Sequence, residues 1–315
     1  MAKSAGRAKT AFPNEKTLGK RMWEARVMYA FLIPAVVCVI VFAYVPMVGV
    51  IMAFQNYHII KGLWGSPFVG LKHFIKFLSD ATFFNTVKNT LSISVLSIII
   101  GFPLPIIFAI LVFSIRDGLF KRVTQTISYL PHFVSWVVVA SIVYKVLDTN
   151  TGIVNVIIRS MGNEAVPFMR DPGFFWGILI TSSIWKTLGW NSILYLAALS
   201  AVPPEQYESA IVDGASGFQK LIYITLPGIA PTIGLMLIFT IGMLFNVSFD
   251  AVYNLRNPLL SATANTIDFY VYQEGVLNDK ISFATAIGLA QSLVALALVT
   301  AANATSRRIR GYGAF

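Results

Sequence analysis

Residues 203–227 read PPEQYESAIVDGASGFQKLIYITLP, and they interrupt a chain otherwise dominated by apolar runs. Pro203 and Pro204 fit only a loop or a first helical turn, so they mark a helix start. Glu205 and Glu208 follow, where the positive end of the helix dipole favours negative charge. Tyr207, Ala210 and Ile211 fall on one apolar face, and Gly214 supplies a stop. Ser216, with Gln219 three residues on, forms a capping box for a second short helix, and Pro227 marks the passage into the next apolar run. The expected object is a helix, a sharp turn and a second helix, too polar to enter a membrane. Asp213 stands at the unfavourable end of its helix dipole, so it needs a separate reason. Capping of the turn or of the next helix is one, and contact with a partner is another.

The rest of the chain explains what such a projection stands on. Of 315 residues, 56% are hydrophobic and 12% charged, against roughly 25% charged in an ordinary soluble protein. That leaves too little polar material to cover a globular surface, so the class is an all-α polytopic membrane protein. The net charge of +10 would suggest nucleic acid in a soluble chain, but here the basic residues lie between or beside apolar runs. The single cysteine, Cys38, excludes an intramolecular disulfide framework and a cysteine-based zinc cluster. The three histidines, His58, His73 and His132, show no metal-binding spacing.

Runs of about twenty predominantly apolar residues place six spans near 28–54, 87–115, 123–147, 173–201, 227–255 and 282–305. The first follows a basic segment (Lys3, Arg7, Lys9, Lys16, Lys20, Arg21, Arg26). It is far longer than a signal-peptide core and has no small-residue cleavage site, so it reads as a retained span. An even number of spans puts both termini on one side. That side also carries Arg116, Lys121, Arg122, Lys220, Arg307, Arg308 and Arg310, and by the positive-inside rule it is cytoplasmic. The expected organisation is a cytoplasmic basic segment over 1–27, a six-helix membrane domain over 28–306 with its cytoplasmic loop at 203–226, and a cytoplasmic tail over 307–315. Two outer stretches, LKHFIKFLSDATFF (71–84) and TIDFYVYQEGVL (266–277), have helical apolar periodicity and are expected to lie at the interface or cap the bundle.

Polar and helix-breaking residues at depth are the candidates for function. GFPLP (101–105) and YLPHF (129–133) interrupt the second and third spans, and irregular backbone at that depth survives only under protein or beside a wet cavity. A simple kink accounts for each proline equally well. Lys145 and Asp250 lie near span ends, where a long side chain reaches water. Lys186 lies about 20 Å from either face at 1.5 Å per residue, and it must turn to the bundle interior or to a wet cavity. Around it, Trp185, Trp190 and Asn191 combine indole plates with a hydrogen-bonding amide, a pairing that suits a sugar's apolar faces and hydroxylated rim. Asn246, Asp250 and Asn254 recur every four residues, which on a continuous helix puts them on one face, with Tyr253 beside it. Both groups are read as lining a substrate path or as packing between helices.

At this point the chain resembles a known family. Glu208-Ser209-Ala210, Gly214, Ile224 and Pro227 match the spacing of the EAA motif of ABC importer permeases, which is Glu-Ala-Ala, three residues, Gly, nine residues and Ile-x-x-Pro. The single departure is Ser209 in place of alanine. YVPMVGVIMAFQNY, YLPHFVSWVVVASIV, NPLLSATANTIDFYVY and ATAIGLAQS extend the resemblance over nearly the whole chain, to the LplB-like carbohydrate permeases that handle oligosaccharides, including pectin- and alginate-derived ones. The resemblance implies a type I importer permease fold in the bacterial inner membrane and a homologous second permease subunit. It also implies two ATPase subunits on the coupling loops and an extracytoplasmic sugar-binding protein. Tyr207, Glu208, Ser209, Ala210, Ile211, Asp213 and Gly214 would form the ATPase-coupling surface. The chain has no G-x-x-x-x-G-K-[ST] phosphate loop, so ATP and Mg are expected on the partner ATPase, with no cofactor, catalytic residue or metal of its own.

Two other classes compete. An ion-coupled secondary sugar transporter should show paired carboxylates at depth, but Asp250, near a span end, is the one carboxylate within a span. A membrane scaffold without transport would have no use for a lysine at mid-depth.

Overall fold

A polypeptide inside a bilayer must satisfy its own backbone hydrogen bonds, and the apolar runs accordingly form helices. The computed structural model describes residues 23–310. The basic residues up to Arg21 and the last five residues of the tail fall outside these. Among the described residues there is no strand, only one isolated bridge between Gln55 and Phe68. The chain falls into two compact units, Met1–Ile51 and Met52–Phe315.

The first unit contributes most of α1, Arg26–Phe54. In the second unit a short helix, α2 (Lys72–Leu78), precedes the long α3 (Ala81–Ser114). Asp80 caps α3 by accepting from the Thr82 N–H at 2.8 Å. The helix widens into one π-turn at Ser97–Gly101, just before Pro103, where the ring removes a donor. A third span is broken into α4 (Leu119–Phe133) and α5 (Trp136–Val146), which meet at 101°. Pro131 lies at this break, and Ser135 restarts the helix by capping Val138. Next come α6 (Ile153–Ser160), α7 (Phe175–Ser200) and the short α8 (Pro204–Val212). The last are α9 (Gly217–Gly242), α10 (Phe249–Leu255), α11 (Ile267–Tyr272) and α12 (Ile281–Arg310).

By length and composition α1, α3, α9, α12 and the bent α4–α5 pair can each cross a membrane. With its 26 residues, α7 runs about 39 Å and is long enough too, but Lys186, Asn191 and its hydroxyl residues make it less apolar. These are the segments expected at the six spans, with three corrections. The second begins at Ala81, before Phe83 and Thr86, because Asp80 starts the helix. The third is not one straight span, because no helix continues through Pro131 to Ser135. The fifth starts at Gly217 and not at 227, because the expected second short helix continues unbroken through Pro227, and it ends at Gly242 and not at 255. Residues 243–248 are non-helical, and Ser248 caps the separate helix α10.

Buried apolar side chains form three clusters in the second unit. One gathers Phe175 and Leu179 of α7 with Ala251, Val252 and Leu255 of α10 and Phe269 of α11. A second joins Phe77, Phe83, Ile267 and Tyr270 to Phe283 and Ile287, so α2 and α11 cap the bundle by packing on it. A third sets Ile106 and Ala109 of α3 against Tyr195 and Leu199 of α7 and Ile229 of α9. Side chains such as Ile99, Leu111 and Leu296 remain exposed, as suits surface that meets lipid. Several buried hydroxyls are satisfied within their own helices, as where Thr86 donates to the Thr82 carbonyl and Thr90 to that of Thr86.

Candidate functional site

Between α3, α7 and α9 lies a cavity of about 430 Å³. Its α7 wall is a single face: Ser183, Thr187 and Asn191 recur every four residues, flanked by Ile184 and Tyr195. Ser94 and Ser97 of α3, Thr240 of α9, and Asn246 and Ser248 of the non-helical segment complete the polar lining among Ile93, Phe102, Met236 and Phe239. The wall therefore alternates apolar surface with hydroxyl and amide groups, and no charged side chain is among the lining residues. The π-turn in α3 and the early end of α9 both open onto it. Asn191 of α7 and Asn246 of the non-helical segment, expected on a common path, both line this cavity. Ser94, Ser97, Ser183, Thr187, Thr240 and Ser248 were not foreseen. The four-residue spacing from Ser183 to Asn191 was a usable signal, but hydroxyls that bond their own helix are common at depth and say little alone.

The other expected path residues lie elsewhere. Trp185 lines a separate apolar groove of about 510 Å³ with Val143, Phe168, Phe174 and Ile178. The supposed common face of Asn246, Asp250 and Asn254 does not exist, because Asn246 precedes α10 and is not helical. Within α10 the Asn254 amide donates to the Asp250 carbonyl at 2.8 Å. Tyr253 joins an aromatic group, 5.4 Å from Phe249 and 5.7 Å from Tyr272 between ring centres.

Lys186 and Trp190 serve the break in the third span. Lys186 Nζ donates to the carbonyls of His132 and Val134, each at 2.5 Å, and to that of Pro131 at 3.4 Å. Trp190 stacks flat on His132, with ring centres 4.3 Å apart and planes within 2°. Phe133 meets the same indole edge-on at 5.6 Å. One turn from Lys186, Gly189 faces the Ser128 backbone so closely that a Cβ would collide with its carbonyl.

On the 203–227 projection, α8 starts at Pro204 with Glu205 in its first turn. It closes where the Ala215 N–H donates to the Ala210 carbonyl at 2.8 Å, and Gly214 adopts φ +72°. That left-handed conformation suits glycine. The expected capping box is present: Ser216 Oγ accepts from the Gln219 N–H at 3.3 Å, and Gln219 Oε1 from the Ser216 N–H at 2.7 Å. With that position filled by Ser216, Asp213 does not cap the second helix. Its carboxylate is exposed and makes no hydrogen bond among the described residues. Tyr207 departs from the expected outward face. It is half-buried against the third cluster, with its hydroxyl 3.1 Å from that of Thr225. Ala210 is half-buried, and Glu208 and Ser209 are exposed. The apolar groups that face outward are Ile211, Val212 and Phe218, exposed at 61%, 87% and 70%.

A helical bundle with membrane-length spans, a polar-lined cavity among three of them and a helix-turn-helix projecting from one end defines a membrane permease. Residues 101–311 match the family described as binding-protein-dependent transport system inner membrane component, and the chain belongs to that family. It is 40% identical to Protein LplB of Bacillus subtilis (strain 168) over 288 residues, 91% of each chain. It is 38% identical to that organism's polygalacturonan/rhamnogalacturonan transport system permease protein YteP, over 95% of this chain and 94% of YteP. A crystal structure of a bacterial alginate ABC transporter, in complex with an alginate pentasaccharide-bound periplasmic protein, contains a similar chain. The match has a TM-score of 0.87 at 38% identity and covers 95% of this chain and 100% of that one.

Proposed function

We propose that this permease forms one half of the pathway by which an ATP-driven importer moves an oligosaccharide into the cytoplasm, an acidic one such as alginate being the leading substrate. The observation that carries the reading is the cavity between α3, α7 and α9, whose interleaved apolar and hydroxyl or amide groups suit a sugar. The relatives' substrates, polygalacturonan and alginate, supply the preference for a uronic-acid chain. A second, homologous permease supplies the opposite wall. A sugar-loaded extracytoplasmic binding protein docks from outside, and two ATPase subunits, which hold the ATP and Mg, dock on the cytoplasmic projections. This chain carries no catalytic residue of its own, and both termini face the cytoplasm.

The projection couples the two ends of the machine. Ile211, Val212 and Phe218 are the apolar docking surface, with the free carboxylate of Asp213 beside them as a polar contact for the ATPase. Tyr207, through Thr225 and the third cluster, ties α8 to the start of α9. Closure of the ATPase dimer then moves α8, and the bundle alternates between inward- and outward-facing states. The test is reconstitution with partner permease, ATPase and binding protein in vesicles. Uptake of uronic-acid oligosaccharide is expected to require ATP and to survive a protonophore. Uptake that persists without ATP and collapses with the protonophore refutes the ATP-driven reading, and preferential uptake of neutral oligosaccharides refutes the acidic substrate.

A further inference from the structure

We propose that Lys186 is a positioning residue that pins the broken third span to the cavity helix α7, and not a ligand for the transported sugar. A helix that stops inside a bilayer leaves carbonyls without intrahelical partners, and each unsatisfied group is costly there. The end of α4 meets that condition at Pro131 to Val134. One ammonium answers it: its three N–H donors match the three carbonyls of Pro131, His132 and Val134. The negative end of the α4 dipole supplies the field a cation needs. Lys186 is 8% exposed and is absent from the cavity lining, although Ser183, Ile184 and Thr187 around it are present.

Two neighbours hold the same joint. Gly189 allows the α4 backbone to approach α7 at Ser128, and Trp190 covers His132 with its ring. Thus one side of α7 carries the sugar-facing groups while another, within a turn, grips the break. Movement at the α4–α5 corner and movement of the cavity wall are then mechanically one event. With its charge committed to carbonyls, Lys186 offers no cation to a uronic acid. This chain's cavity wall recognises hydroxyls, and it leaves charge selection to the binding protein or to the partner permease.

The inference rests on the transport reading, and the experiment separates the two. In vesicles holding the complete transporter, Lys186→Met is expected to lower both uptake and the ATPase activity measured with sugar-free binding protein by about tenfold, since buried carbonyls lose their donor. A sugar ligand would leave the sugar-free ATPase at the wild-type rate, with the loss confined to uptake, and that result overturns the proposal. So does a variant that matches wild type in both assays. Should the variant fail to assemble, the wild-type complex decides. A small amine-reactive reagent applied to the native transporter is expected to leave Lys186 unmodified with or without sugar and to modify it after denaturation. Native modification that sugar prevents overturns the proposal. Failure of ATP-driven uptake by the wild type refutes the transport reading instead, and the labelling result stands independently of it.

Discussion

Asp80 is a single residue tied to two distant parts of the chain. Its carboxylate accepts from the Thr82 N–H at the start of α3 and from the Tyr270 hydroxyl at 2.8 Å on α11. Burial pushes its pKa up, but the bonds from Tyr270 and Thr82 outweigh burial and hold it below the ordinary carboxylate value. A carboxyl whose folded pKa is depressed contributes stability that is complete above its unfolded pKa, about 3.9, and is lost as pH falls through the folded value. Asp80→Asn is therefore expected to lower Tm at neutral pH. The gap from wild type should close as the pH drops below about 4, and melting the purified transporter across that range checks it. A gap independent of pH would mean the carboxylate charge contributes nothing. At this scale the chain order is uninformative, because the Asp80–Tyr270 contact spans 190 positions and exists only once α2 and α11 pack on the same cluster.

Among the elements, the 203–227 projection was the most legible, because every signal in it is local. Prolines, Ser216, Gln219 and Gly214 act within a turn of themselves, and the observed start, capping box and left-handed turn follow. What its residues face is not local. Tyr207 turns inward because cluster residues from α3, α7 and α9 are there to receive it, and so Val212 and Phe218 emerge as outward groups beside Ile211. Phe218→Glu is expected to leave the permease folded with an unchanged Tm while sharply reducing the ATPase that co-purifies. Wild-type recovery of ATPase would remove Phe218 from the docking surface. α10 shows the opposite case. The Asn246, Asp250 and Asn254 periodicity looked continuous, yet the helix stops at Gly242 and restarts at Phe249, which separates Asn246 from the other two.

For the whole molecule, the cavity is the proposed route for the sugar, and filling it tests that proposal more directly than removing any one polar group. Asn191→Trp adds bulk to the α7 wall without touching the projection, so sugar uptake is expected to fall by about tenfold or more while ATPase co-purification stays at the wild-type ratio. Uptake at the wild-type rate would place the sugar's route elsewhere. Composition, apolar run length and short-range caps were enough to establish a helical membrane protein and a polar helix-turn-helix at 203–227, together with the family resemblance. These depend on backbone satisfaction and hydrophobicity within a window of some twenty residues. Which side chains meet was beyond that window. Lys186 at mid-depth could be recognised as needing a partner, but the partner is a set of carbonyls 52 to 55 positions away, exposed by a break whose 101° angle no local pattern encodes. Ser94, Thr187, Thr240 and Asn246 likewise share one cavity only because helices distant in sequence pack side by side.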